Sequence, residues 1–135
     1  EWAWGTHFDK DDNIYVILTL DEAGAPRQTS DFRGWCLRVN IDGTTTPFAS
    51  GIRSPGGIGF NAVGDLFYAD NQGEWTGTNF LKWIRPGYFT GNPSGNNFYA
   101  LTDAIGPRPR DPENGSRIMI EAKKIINPVL FFQKI

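Results

Sequence analysis

The sequence predicts an all-β fold built from repeated four-stranded units. Three observations carry that expectation. The chain of 135 residues and 15.1 kDa holds 16 Gly and 9 Pro beside 5 Trp, 4 Tyr and 10 Phe. Turn-formers together with aromatics suit many short strands and argue against a helix bundle. Short apolar runs are punctuated by turn dipeptides such as Asp42-Gly43 and Pro86-Gly87. Finally, two stretches of the chain are echoed, in the same order, further along it.

The elements follow in order. Asn13 to Leu20 is apolar almost throughout, which predicts a strand covered on both faces. Trp2 to Phe8 is its expected hairpin partner, with Asp9 to Asn13 as the turn between them. Asp21 to Arg33 is polar and reads as a loop. Trp35 to Ile41 is a second strand ended by Asp42-Gly43, a strong hairpin signal. Thr44 to Ala49 returns beside it, with Pro47 marking an edge or a strand end. Gly57 to Asn61, a turn at Ala62 to Asp65, and Leu66 to Asp70 make another hairpin, and Asn79 to Arg85 is a strand stopped by Pro86-Gly87. Tyr88 to Asn114 is rich in Gly, Pro and Asn and reads as a long loop with little regular structure. Ser116 is placed to cap a short helix over Arg117 to Ile126, with Ile118, Ala122 and Ile125 on one face. From Val129 the apolar residues Leu130, Phe131 and Phe132 read as a strand that has just begun.

The internal echo sets the architecture. Phe8-Asp-Lys-Asp-Asp-Asn-Ile-Tyr-Val16 matches Phe60-Asn-Ala-Val-Gly-Asp-Leu-Phe-Tyr68: a Phe, a polar turn, an Asp or Asn, then an aliphatic-aromatic strand. Leu37 to Gly43 is echoed by Leu81 to Gly87. A unit of about four strands and roughly 40–50 residues has the size of a propeller blade. The chain divides accordingly into a blade over residues 1–51, a blade over 52–93, a loop and short helix over 94–127 and the start of a next blade over 128–135. One blade leaves both sheet faces exposed, so blades stack around an axis, and a closed ring needs at least four. The expectation is therefore a partial β-propeller of two to three blades, a piece of something longer, partnered by the remaining blades or by identical copies.

Charge and cysteine content exclude several classes. Thirteen Lys plus Arg against 15 Asp plus Glu leave a formal net charge of −2, without the basic field that phosphate binding requires, so no nucleic acid is expected as a partner. No run approaches the length of a membrane-spanning helix, and no membrane span is expected. Cys36 is alone, so it has no disulfide partner within the chain, and between Trp35 and Leu37 it reads as a small buried thiol.

Three segments have the residues for chemistry. Gly51-Ile-Arg-Ser-Pro-Gly-Gly-Ile58 joins one blade's outer strand to the next blade's inner strand, and Arg53 is the natural holder of an anion such as a carboxylate. The competing reading has Arg53 stack on a ring or cap a turn. Ala69-Asp-Asn-Gln-Gly-Glu-Trp75 offers oxygens for a hard cation such as calcium. A local lock of the loop by Asp70 and Asn71, whose side chains bond nearby backbone with ease, is the stronger reading there. Asp9 to Asn13 lacks the spacing of a calcium loop and reads as a plain turn. His7, the single histidine, has no second His and no neighbouring Cys to make a metal site. Asn114-Gly-Ser116 matches a glycosylation sequon.

Gly51 to Phe60 followed by Gly64 to Gly73 resembles the six-bladed propellers of the soluble glucose and sorbosone dehydrogenase class, which use pyrroloquinoline quinone and calcium. The stretch from Trp2 to about Pro93 is similar to large secreted bacterial propeller proteins often fused to a c-type haem domain. The resemblance implies a quinone-dependent sugar or alcohol dehydrogenase, periplasmic or extracellular, with a sugar or glycan as partner. Arg53 matches the class arginine that contacts the quinone. Ser54 stands where the class has a cofactor-contacting Asn, a shorter group. Gln72 and Gly73 match the Gln-Gly of a Gln-Gly-Pro motif whose Gly and Pro carbonyls bind calcium, and Glu74 replaces the Pro. Calcium would then rest on the carbonyls of Gly73 and Glu74, and Trp75 would cover the cofactor ring. The class's catalytic His would align at or just before Glu1, so His7 does not match it and the catalytic base is unassigned. The chain contains no CxxCH haem site. The alternative is a non-catalytic module that binds a glycan or protein through Trp75, Tyr88, Phe89, Phe98 and Tyr99.

Overall fold

The computed structural model describes residues 3–20, 30–72, 79–110 and 130–132. Within them the chain is mostly β. The strands are β1 (Ala3–Phe8), β2 (Ile14–Leu18), β3 (Trp35–Val39), β4 (Thr45–Ser50), β5 (Pro55–Phe60), β6 (Leu66–Asp70), β7 (Asn79–Ile84) and β8 (Leu130–Phe132). They form two antiparallel sheets in simple sequential order. The first is β1-β2-β3-β4. The second is β5-β6-β7, with the short β8 paired onto β7. The run from Leu130, expected to open a further unit, instead pairs Leu130 with Leu81 and Phe132 with Asn79 and completes the second sheet. An apolar run announces a strand but not its neighbour, because the neighbour is chosen by long-range packing.

Three hairpins share one turn geometry. The N–H of Asp9 donates to the Asn13 carbonyl at 3.0 Å, that of Asn40 to Thr44 at 2.8 Å, and that of Asn61 to Asp65 at 2.9 Å. Each turn has one residue in the left-handed region: Asp12 at φ 60°, Gly43 at 84° and Gly64 at 90°. A side-chain oxygen locks the first and third turns. Asp9 Oδ1 accepts from the N–H groups of Asp11 and Asn13, and Asn61 Oδ1 accepts from those of Val63 and Asp65. The echo between Phe8–Val16 and Phe60–Tyr68 thus occupies equivalent places in the two sheets, the first hairpin of each. Asp9 to Asn13 is the plain turn the sequence indicated.

The two sheets pack face to face. Strand alternation sends Tyr15, Ile17 and Cys36 of the first sheet toward Leu66, Tyr68, Phe80 and Ile84 of the second, with Ala49 and Ile52 filling in. Gly5 on β1 lies so close to β5 that an added Cβ would fall 1.8 Å from Ile58 Cγ2. Cys36 is fully buried, and burial pushes its thiol well above the usual range, so it packs as a small apolar group.

The opposite face of the first sheet is covered by the chain itself. Trp35 and Leu37, with Val16 and Leu18 beside them, meet Phe98, Tyr99 and Ile105. Phe98 and Tyr99 sit on a 3₁₀ helix, Pro93–Leu101, in the stretch the sequence assigned to irregular loop. Its start is built locally: the Asn92 side chain accepts from the Ser94 N–H at 2.9 Å, and Pro93 fits the first turn. Trp35 Nε1–H donates to the Gly95 carbonyl at 2.9 Å and pins the helix to the sheet. The covering of β2 on both faces is thereby met. The helix expected over Arg117–Ile126 and the sequon at Asn114 lie outside the described residues.

Between β7 and the 3₁₀ helix the chain crosses to the first sheet and runs along β4. Gly87 N–H donates to Phe48, Ser50 N–H to Tyr88 and Thr90 N–H to Ser50. The segment therefore satisfies backbone groups that an edge strand would leave open. No helix among the described residues is long and apolar enough to cross a membrane.

Candidate functional site

The connection from β4 to β5 carries Arg53 and Ser54, and it is held from both sheets. Gly51, at φ 81°, turns the chain out of β4, and an added Cβ there would lie 2.7 Å from the Phe89 ring and 2.8 Å from the Gly91 nitrogen. On the first-sheet side, Ile52 N–H donates to the Gly34 carbonyl at 2.9 Å, and the Arg53 carbonyl accepts from Leu20 N–H at 3.0 Å. On the second-sheet side, Asp70 at the end of β6 accepts from Arg53 N–H at 2.9 Å and from Ser54 N–H at 2.7 Å, one to each carboxylate oxygen. Asp70 also accepts from Asn71 N–H at 2.8 Å. The local lock suggested for Asp70 is thus realised, and it also reaches across to the Arg53 connection. Asp70 spends its carboxylate on backbone donors.

Behind this clamp lies a buried ionisable group the sequence reading did not single out. Lys82, 4 % exposed, faces the inter-sheet core between Phe80 and Ile84 on β7. Its ammonium donates to the Thr90 carbonyl and stands 4.1 Å from the centre of the Phe80 ring. Burial pulls its pKa down to about 8, with the Asp70 charge opposing. Burial likewise raises the Asp70 carboxyl, outweighing the N–H donors of Arg53, Ser54 and Asn71 and the Lys82 charge. Tyr68, 1 % exposed, completes the group. Burial pushes its hydroxyl well above the usual value, and it makes no hydrogen bond of ordinary geometry. The signal was legible: alternation along Phe80-Leu-Lys-Trp-Ile84 puts a lysine on the core face.

The expected site residues are placed as follows. Arg53 and Ser54 lie together on the clamped connection, both half-buried. Gly73, Glu74 and Trp75 lie outside the described residues. Asn71 and Gln72, just before them, are exposed. No group of three His, Cys, Asp or Glu suited to a metal occurs among the described residues. His7 is exposed on β1, paired with Tyr15. Of the rings expected to form a binding platform, Phe89, Phe98 and Tyr99 are buried in the structure, and Tyr88 is half-buried against Arg85. Those rings serve packing. A Gly- and Asn-rich segment reads as exposed loop because its backbone looks irregular, yet its aromatics cover the first sheet.

No protein-family model matches the chain, and no curated protein matches it. The residues and their geometry are what bear on function.

Proposed function

We propose that the chain is part of a β-propeller of the quinone-dependent sugar or alcohol dehydrogenase kind, with Arg53 and Ser54 as its contribution to the cofactor site. The observation that carries this is the clamp. A ligand-binding side chain on a free loop costs much ordering entropy, whereas the backbone that carries Arg53 is fixed by both carboxylate oxygens of Asp70 and by the bonds to Leu20 and Gly34, so only the side chain itself remains to be ordered. An arginine so held suits the acidic groups of a tricarboxylate quinone through paired N–H bonds. Two sequential four-stranded units packed face to face support the reading of consecutive blades.

When bound, such a quinone supplies two-electron oxidation of a sugar or alcohol; the part of this chain is to hold and orient it. Arg53 neutralises a carboxylate, Ser54 offers one hydroxyl, and the carbonyls of Gly73 and Glu74 with Trp75 complete the contribution as the resemblance assigns them. No residue here is assigned as the base, so turnover belongs to a complete ring made with remaining blades or identical copies, in the periplasm or outside the cell. The test is calorimetric titration of the chain with pyrroloquinoline quinone, with and without calcium. Micromolar binding that is lost in Arg53→Ala and weakened by calcium removal is expected. Absence of saturable binding, or binding indifferent to Arg53, rejects the proposal.

A further inference from the structure

A cavity lies at the end of the sheet pair opposite the Arg53 connection. Strand direction alternates, so the β4–β5 connection is at one end and the hairpin turns Asp9–Asn13 and Asn61–Asp65 are at the other. Between those turns and the start of the segment after β7 is a cavity of about 860 Å³, within the range of small-molecule sites. Its apolar wall is aromatic. Tyr15 meets Phe48 edge-on at 4.9 Å and Phe60 at 5.4 Å between ring centres. Two arginines, Arg38 and Arg85, also line it.

These two cations are what make the cavity informative. Each has its Nε shielded from water and without a hydrogen-bond acceptor. Neither makes an ion pair among the described residues, where the ion pair formed is Lys10–Asp11 on the surface. Arg85 is held in place by rings, 4.7 Å from the centre of Trp83 and 3.9 Å from that of Tyr88. Arg38 sits beside the Tyr15 hydroxyl.

Among the described residues, none of the acids around the cavity bonds either arginine directly, and Asp9 reaches Arg38 only through the Tyr15 hydroxyl between them. Asp9 accepts from Asn13, Asp11 N–H and the Tyr15 hydroxyl. Asp65 accepts from the Asn61 amide, and Asp11 pairs with Lys10. Two half-buried guanidinium groups lining one cavity, each with its Nε turned from solvent and without an acceptor, match a carboxylate. The rings beside them match an apolar body on the same ligand.

We propose that this cavity binds a small carboxylate carrying an apolar ring, with Arg38 and Arg85 taking the carboxylate and Phe48 and Phe60 the ring. The site is separate from the Arg53 end and does not rest on the quinone reading. The probe is 2-naphthoate, titrated into the full chain by calorimetry beside its neutral counterpart 2-naphthalenemethanol.

The acid binds with a dissociation constant below about 1 mM, and the alcohol at least about tenfold more weakly. Arg38→Met and Arg85→Met each weaken the acid about tenfold and leave the alcohol unchanged, whereas Arg53→Ala changes neither. The comparison of acid with alcohol on the unaltered chain needs no variant, so a variant that fails to fold does not block the test. Equal affinity for the two ligands, no saturable binding of the acid, or loss of acid binding in Arg53→Ala overturns the proposal.

Discussion

Lys82 gives the sharpest test of how the inter-sheet core is put together. Its ammonium is buried, and its pKa falls from the usual 10.5 to about 8 because burial outweighs the nearby Asp70 charge. Each pKa unit corresponds to about 1.4 kcal/mol, so holding the charged form in this core costs about 3 kcal/mol relative to the unfolded chain. A lysine whose folded value is depressed imposes its full cost below the folded value. That cost is relieved as pH rises through about 8 toward 10.5, because the unfolded chain keeps the proton longer. From pH 7 to pH 9.5 the relief amounts to about 2 kcal/mol. The assay is urea unfolding of the chain and of Lys82→Met across that range. The unaltered protein should gain about 2 kcal/mol relative to the variant as pH rises, because methionine has no proton to lose and similar length. The difference between the two removes the titration of every other group. A difference that stays flat across the range would refute the argument, since it would mean that Asp70 and the Thr90 carbonyl fully offset burial.

Gly51→Ala should lower stability by about 2 kcal/mol or more, from the left-handed backbone together with the contact to Phe89 and Gly91; chemical unfolding measures it, and a loss below about 0.5 kcal/mol would contradict the geometry. Asp70→Asn puts an amide against the N–H groups of Arg53 and Ser54, so it should cost about 1–3 kcal/mol and speed hydrogen exchange at both amides. Unchanged exchange there would show that the clamp does not hold the connection.

Much of the fold was legible because short-range chemistry writes it. A short apolar run placed β2, and Asp-Gly and other polar turns placed the hairpins that include β6, down to the echo at Phe8 and Phe60. What stayed hidden depends on distant partners. Nothing local to Gly87–Asn92 tells that it lines the edge of β4, or that Phe98 and Tyr99 cover Trp35. Arg53 and Ser54 were found through a motif, and the lock on Asp70 through its residue type. That one carboxylate joins them is a tertiary fact. The cavity at Arg38 and Arg85 was missed because its residues are scattered over the chain and gathered only by the packing of two sheets.

On the proposed function, the end of the sheet pair carrying Arg53 would hold an acidic quinone. Nitrogen-15 amide spectra of the chain, recorded as pyrroloquinoline quinone is added, test it most directly. Saturable shifts are expected at the amides of Arg53, Ser54 and Asn71, with the turn amides of Asn13 and Asp65 unmoved. Shifts confined to the turn end, or no saturable shift at Arg53 and Ser54, would contradict it.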